Sequence, residues 1–263
     1  MKYSKTAAAA LLFASILGGG QAAAAPAKPQ VLHTFLSTSE TGLDPAVASD
    51  IATLSLLENL FDPLMRYDYL ARPLKLRGNT IEGMPEVSSD GLVYTFKIRR
   101  GIYFTPDPAF KGRKREMTAE DYVYSLKRLY DPVLKSPWLF FFEGKLAGDS
   151  ALKKNFSHAT TIPGLEAVDR YTLRIRLNAP DNNFLLYLAT PSSGVVAREV
   201  IEAYPGQVGN HPVGTGPFMI GEWKRSDRIV LLANPDSTAV FQATPGDNPR
   251  DKAIAAALAG MRL

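Results

Sequence analysis

Alternation of apolar and polar residues predicts strands in several parts of the chain. Residues 92–98 ("LVYTFKI") and 171–177 ("YTLRIRL") carry apolar side chains at every second position, as in strands with one buried face. Residues 31–36 ("VLHTFL") also resemble a strand. Near the end, 218–223 and 228–233 predict two strands joined near Ser226-Asp227.

Spacings of three and four residues predict helices between these strands. In 118–130, Thr118 is a natural N-cap, acidic residues occupy the first turn, and Pro132 ends the helix. An earlier helix should bury the face formed by Ile51, Leu54, Leu57 and Phe61, and end before Asp62-Pro63. Further helices are expected at 183–188, at 197–204 and in the last fifteen residues. The pattern is a mixed α/β fold without regular βαβ alternation.

The first 24 residues have the pattern of a signal peptide. Lys2 and Lys5 precede a short apolar run, and small residues follow it up to a cleavage site expected near Ala24. A retained N-terminal anchor is the alternative. We therefore expect a leader at 1–24 and one folded region at 25–263.

Composition excludes several kinds of site. The chain has no cysteine, which excludes disulfides, thiolate metal sites, cysteine nucleophiles and a lipid anchor on cysteine. Removing Lys2 and Lys5 leaves 28 basic against 26 acidic residues, so charge predicts no nucleic-acid partner. The basic run 111–116 ("KGRKRE") is typical of a solvated loop.

Motifs for catalysis are missing from the sequence. It contains no HExxH, GxSxG, Walker P-loop or strand-linked GxGxxG motif. Ser150, in "AGDSAL", resembles a hydrolase nucleophile, but no histidine follows an Asp at hydrolase-like spacing. His33, His158 and His211 are too scattered for a metal site. We expect no catalytic residue, metal or cofactor.

Two further segments leave alternatives open. The aromatic segment 136–144 ("SPWLFFFEG") fits a core, or a cavity wall with Trp138 facing a ligand. The segment 214–218 ("GTGPF") fits a tight structural turn, or a backbone exposed for pairing with an extended ligand.

Six segments in order resemble the successive motifs of family 5 extracellular solute-binding proteins. They are "LDP" (43–45), "DGLVYTFKIRRGIYF" (90–104), "TAEDYVYSLKRL" (118–129), "VDRYTLRIRL" (168–177), "GTGPF" (214–218) and "NPD" (234–236). The resemblance implies a periplasmic binding protein-like type II fold, of which this chain supplies the first lobe and its small subdomain. The second lobe is expected to be absent, because members are much longer.

The resemblance also implies a function. Such a protein is a monomer in the periplasm that binds a peptide or similar small solute between two lobes and delivers it to an ABC permease in the inner membrane. The absence of cysteine adds that this chain is not lipid-anchored. By matching position, the implied ligand-binding residues are Ser39, Glu40, Thr41, Tyr124 and Trp138. The alternatives are a secreted serine hydrolase using Ser150, and a fragment without transport activity.

Overall fold

A computed structural model describes residues 30–262, so the predicted leader lies outside the described residues. The described chain divides between two units, with residues 30–35 in the first and residues 36–262 in the second. In the described part of the first unit, residues 30–35, there is no helix or strand, and Val31, Leu32 and Phe35 are exposed. The predicted strand at 31–36 is therefore wrong. Apolar residues alone do not make a strand, which requires a hydrogen-bonded neighbour.

The second unit contains the helices and strands of the described chain. Its helices are α1 (Ile51–Leu60), α2 (Ala119–Arg128), α3 (Ser150–Lys154), α4 (Phe184–Tyr187), α5 (Arg198–Ala203) and α6 (Pro249–Leu258). Its strands are β1 (Met65–Tyr67), β2 (Leu76–Gly78), β3 (Glu86–Val87), β4 (Val93–Lys97), β5 (Leu165–Asp169), β6 (Thr172–Arg176), β7 (Phe218–Lys224) and β8 (Arg228–Ala233). The predicted mixture of helices and strands is confirmed.

The largest sheet is antiparallel, with strand order β3-β4-β6-β5. Phe96 of β4 lies opposite Leu173 of β6, and Tyr94 lies opposite Ile175. All four side chains are buried, so the predicted alternation is confirmed in both strands. Separate two-stranded pairs are formed by β1 with β2 and by β7 with β8.

Helix α2 packs on β5 and β6 and is buried almost all round. Thr118 is its N-cap, and the Asp121 carboxylate accepts hydrogen bonds from the Thr118 N–H at 2.7 Å and hydroxyl at 2.9 Å. Both the start of the helix and its buried apolar face agree with the prediction. Glu120 is exposed while Asp121 is buried, so the two adjacent acids face different surroundings.

Helix α1 belongs to a second, smaller core. Its buried residues are Ala52, Thr53, Leu56, Leu57 and Leu60, and it ends before Asp62 as predicted. The predicted buried face was partly wrong, because Ile51 is 84% exposed. The side chain at position 51 lies in the first turn, outside the face that packs on the β7–β8 pair.

The GTGPF segment joins this pair to the end of α1. A Cβ atom on Gly214 would lie 2.0 Å from the Leu60 carbonyl oxygen, and one on Gly216 2.5 Å from that of Asn59. The Gly216 N–H donates to the Leu60 carbonyl at 3.0 Å, and the Gly216 carbonyl accepts from the Asn234 side chain at 2.8 Å. These glycines therefore permit a close backbone approach, and they are buried and internally hydrogen-bonded rather than exposed for a ligand.

In residues 30–262, no helix combines the length and the hydrophobicity needed to cross a membrane.

Candidate ligand-binding surface

The loop 39–48 lies between the N-terminal segment and α1, and hydrogen bonds hold its second half. The Leu43 N–H donates to the Gly209 carbonyl at 2.7 Å. The Thr41 N–H donates to the Thr53 hydroxyl at 3.0 Å, and the Thr41 hydroxyl donates to Asp50 at 2.7 Å. The loop is thereby fixed both to the start of α1 and to the chain near residue 209.

Asp50 connects this loop to the helix, because it is also the N-cap of α1. Its carboxylate accepts from the Thr53 N–H at 2.8 Å. Burial acts to raise the pKa of Asp50, but the hydrogen bonds from Thr53 and Thr41 outweigh burial and hold that pKa below its usual value. The charged form therefore stabilises the junction of loop and helix.

A buried ion pair supports the middle of the loop. Arg128, in the last turn of α2, donates from its two Nη atoms to the two carboxylate oxygens of Asp44, at 2.9 and 2.8 Å. The side chains are only 3% and 9% exposed. Asp44 also accepts from the Ala46 N–H at 3.0 Å. This two-point contact fixes the loop against α2.

Glu40 is fixed by the β7–β8 pair. Its carboxylate accepts from the Trp223 Nε1–H at 2.7 Å, and the Arg225 guanidinium lies 3.9 Å away. That guanidinium also covers the Trp223 ring, 4.7 Å from its centroid. Glu40 is itself buried, so its side chain serves this internal contact in the present conformation.

Tyr124 packs under the loop, in the same apolar cluster as Leu43 and Ala48. Its ring stacks on His158 with centroids 4.5 Å apart, and the Arg198 guanidinium lies 5.0 Å from the ring centroid. Burial raises the pKa of the Tyr124 hydroxyl. The tyrosine is 2% exposed, so it supports the loop from below.

Trp138 contacts the far end of the loop, where its Nε1–H donates to the Ala48 carbonyl at 2.7 Å. Its ring stacks on Phe141 at 5.7 Å, and Phe141 stacks on Tyr187 at 4.7 Å. We call Trp138, Phe141 and Tyr187 the aromatic row. All three are half-buried, while Phe142 is fully buried and Phe140 is 60% exposed, so segment 136–144 is partly core and partly surface.

The beginning of the loop offers unpaired backbone. Within the described chain, the N–H and C=O groups of residues 37–40 make no hydrogen bond, and Ser39 is exposed. Unpaired peptide groups at exposed residues, here 37–39, can pair with the main chain of an extended ligand. The five residues predicted as ligand-binding thus all lie in this loop or contact it, although ligand contact itself stays a prediction.

The candidates for catalysis are scattered. Ser150 is exposed at the start of α3, and no hydrogen bond joins its hydroxyl to another described side chain. His211 pairs with Asp107 at 2.6 Å and stacks on Tyr204, while His158 stacks on Tyr124. Among residues 30–262, no cluster of His, Asp and Glu could hold a metal ion.

The sequence analysis missed two arrangements that involve arginine. One is the pairing of Arg128 with Asp44, whose members are 84 residues apart. The other is a cleft of about 370 Å³ beside β2, lined by Arg77 and Arg99. The sequence signal for the first is that both members lie in motifs that carry the family resemblance. Nothing in the sequence brings Arg77 and Arg99 together before the fold is known.

Comparisons with known proteins agree with the resemblance. The family of bacterial extracellular solute-binding proteins, family 5 Middle, matches residues 75–255. Di/tripeptide-binding protein 4 of Pseudomonas aeruginosa (strain UCBPP-PA14) is 33% identical over 176 residues, which are 63% of this chain and 32% of that protein. The glutathione-binding protein GsiB of Escherichia coli is 29% identical over 189 residues, covering 72% of this chain and 31% of its own.

A solved structure shows the same fold. The ABC transporter-associated periplasmic binding protein DppA from Helicobacter pylori, in complex with the peptide STSA, matches with a TM-score of 0.62 and 26% identity. The match covers 82% of this chain and 43% of DppA. The matches thus span between 31% and 43% of the length of these relatives. The mixed α/β structure has the type II periplasmic binding protein fold, and the chain belongs to the bacterial extracellular solute-binding proteins of family 5.

Proposed function

We propose that this chain is part of the substrate-binding component of an ABC importer. It binds a peptide or related small solute in the periplasm and delivers it, chemically unaltered, to a permease in the inner membrane. In this proposal it acts as a monomer without cofactor or lipid anchor, with a leader at 1–24 and a solute-binding region at 25–263.

The observation that carries the proposal is the loop 39–48. Hydrogen bonds and the Asp44–Arg128 ion pair fix its second half, while the described backbone at 37–40 remains unpaired. Main-chain pairing tolerates varied ligand side chains, as a peptide carrier requires. The relatives support this chemistry, since one is named for di- and tripeptides, another for glutathione, and DppA was solved with a peptide.

In this proposal the residues have different roles. Ser39 and Thr41 are exposed; Ser39 contacts ligand through its backbone and Thr41 through its carbonyl, because the Thr41 N–H already donates to Thr53. Glu40 and Tyr124 hold the loop. Trp138 begins the aromatic row, whose half-buried rings form an apolar surface beside the loop.

The two tryptophans of the chain provide the test. Trp138 donates to the Ala48 carbonyl and Trp223 to Glu40, so both report on the loop. Titration with dipeptides, tripeptides and glutathione should give a saturable change in tryptophan fluorescence. Peptide recovered afterwards should be intact by mass spectrometry.

A pair of variants separates main-chain from side-chain contact. Ser39→Pro removes one N–H and should weaken binding about fivefold or more, as expected for one hydrogen bond. Ser39→Ala keeps the N–H and should bind like the original chain. Cleavage of peptide that depends on Ser150 would overturn the proposal, and equal weakening of binding by Ser39→Pro and Ser39→Ala would contradict main-chain contact at this residue.

A further inference from the structure

Three arginines converge beside the β1–β2 pair. Arg66 of β1 and Arg77 of β2 are direct register partners, and like charges placed opposite each other in a strand pair are destabilising. Arg99, just after β4, lines the same cleft as Arg77. Burial, together with the charges of Arg66 and Arg99, lowers the pKa of Arg77.

The hydrogen bonds of this cluster are incomplete. Arg77 donates from Nη1 to the Gln242 side chain at 3.1 Å, and Arg99 donates from Nη2 to the Asn79 carbonyl. The Nε atoms of Arg77 and Arg99 are buried and have no partner in the described part of the chain. An unsatisfied buried donor on a charged group is costly. Nη2 of Arg77 and Nη1 of Arg99 also have no hydrogen-bond partner in the described chain, so they can donate to an acceptor that enters the cleft.

Nearby carboxylates offset part of this charge. Asp68 attracts Arg77 while its two oxygens accept from the Thr244 N–H, each at 2.9 Å, and Glu58 attracts Arg66. Glu82 lines the cleft and is exposed, and no ion pair joins it to a described arginine. Among the residues that line the cleft, two arginines face one glutamate, so the lining itself carries a net positive charge.

The cleft has the size and the mixed surface of a small-molecule site. Its volume is about 370 Å³, within the usual range for ligand pockets. Leu76, Ile81 and Met84 supply apolar surface next to the arginines. Gly78 allows the backbone at Gly83 to pack close to β2 in the wall of the cleft, because a Cβ atom at position 78 would lie 2.3 Å from the Gly83 carbonyl oxygen.

We propose that the cleft lined by Arg77 and Arg99 is a binding site for a small oxyanion, either a carboxylate on an organic molecule or a phosphate. A guanidinium group matches the oxygen geometry of both groups and can donate two parallel hydrogen bonds. This site is separate from the loop 39–48, and the proposal does not depend on peptide binding there.

Calorimetric titration of the full chain tests the site with two probes. Sodium hexanoate carries a carboxylate and an apolar tail, and inorganic phosphate carries neither, while sodium chloride keeps the ionic strength equal. Saturable binding of either probe is expected. Tighter binding of hexanoate assigns an organic carboxylate, because its tail contacts the apolar wall, whereas tighter binding of phosphate assigns an inorganic oxyanion.

Two variants connect the binding to the cleft. Arg77→Gln should weaken it about tenfold or more, as expected for a charge-assisted hydrogen bond. Met84→Glu introduces a carboxylate at a position that is 51% exposed, so the fold should persist while anions are repelled. The matched controls are Arg113→Gln, on an exposed loop, and Val87→Glu, at a site 46% exposed on β3.

Both controls should bind like the original chain. The proposal is overturned if neither probe gives saturable binding. It is equally overturned if the Arg77→Gln and Met84→Glu variants bind as tightly as the controls.

Discussion

Arginine side chains in two regions of this protein have opposite surroundings. Around α2, Arg128 is buried against Asp44, and Arg115 donates to both Asp121 and Glu199. Beside β2, Arg77 and Arg99 have like-charged neighbours, and their Nε atoms have no partner among residues 30–262. Paired charges fix one element on another, whereas an excess of unpaired charge is more useful for binding than for stability.

The largest expected effect is loss of the buried pair. Asp44→Ala leaves the Arg128 guanidinium buried without its carboxylate and should lower the free energy of unfolding by about 3–5 kcal/mol. Urea denaturation, monitored by circular dichroism, measures this loss of stability. The exposed pair Arg174–Glu166 supplies the control, because Glu166→Ala should cost at most about 1 kcal/mol.

A double variant sharpens this result. Asp44→Leu combined with Arg128→Met removes both charges, so it should be less destabilised than Asp44→Ala. Equal stability of the two variants would contradict the view that an unpaired buried charge causes the loss.

A smaller loss is expected at the start of α2. Asp121→Ala removes the acceptor for the Thr118 N–H and for Arg115, and should cost about 2 kcal/mol. The loss should be below that of Asp44→Ala, because the Arg115 side chain is 24% exposed and water can solvate it. Thermal unfolding provides the comparison, with Glu120→Ala on the exposed side of the same turn as the control.

A substitution among the arginines beside the β1–β2 pair should raise the stability of the protein and not lower it. Arg66→Gln removes the like charge opposite Arg77 and should raise the free energy of unfolding by about 0.2–1 kcal/mol at low salt. The gain should shrink as salt is added, because exposed charges are screened. A loss of stability that is independent of salt would show that Arg66 is a structural partner and not an excess charge.

The smallest effect concerns pH. Burial lowers the pKa of His158, and the charges of Arg128, Arg198 and Lys127 act in the same direction against that of Asp131. The folded state thus binds the proton less readily than the unfolded state. This contribution to stability is complete above about pH 6.5 and is lost as the pH falls below it.

A variant isolates this contribution. His158→Phe keeps a ring stacked on Tyr124 but cannot titrate, so its unfolding free energy should depend less on pH between 5 and 8 than that of the original chain, a range set by the histidine pKa. Identical profiles for His158→Phe and the original chain would refute the assignment.

Local patterns predicted much of the fold. The alternation in β4 and β6 and the N-cap at Thr118 depend on neighbours in sequence, and the structure confirms them. The strand at 31–36 and the burial of Ile51 were wrong, because each depends on what packs nearby and not on the segment alone.

The charged sites could not be found in this way. Arg66 and Arg77 meet only through the register of β1 with β2, and Arg99 joins them from the end of another strand. Similarly, Arg128 near a helix end suggests a contact with the helix dipole, and only the fold shows that it pairs with Asp44. For the loop 39–48, the family resemblance indicated the position, but hydrogen bonding shows which part is fixed.

The close approach of GTGPF to α1 has a mechanical consequence. At one end of α1, Asp50 fastens the helix to Thr41; at the other end, the backbones at Leu60 and Gly216 are hydrogen-bonded with no side chain between them. The first joint runs through two side chains and the second through backbone alone. We therefore expect the helix to transmit a displacement of the loop at one end to the β7–β8 pair at the other.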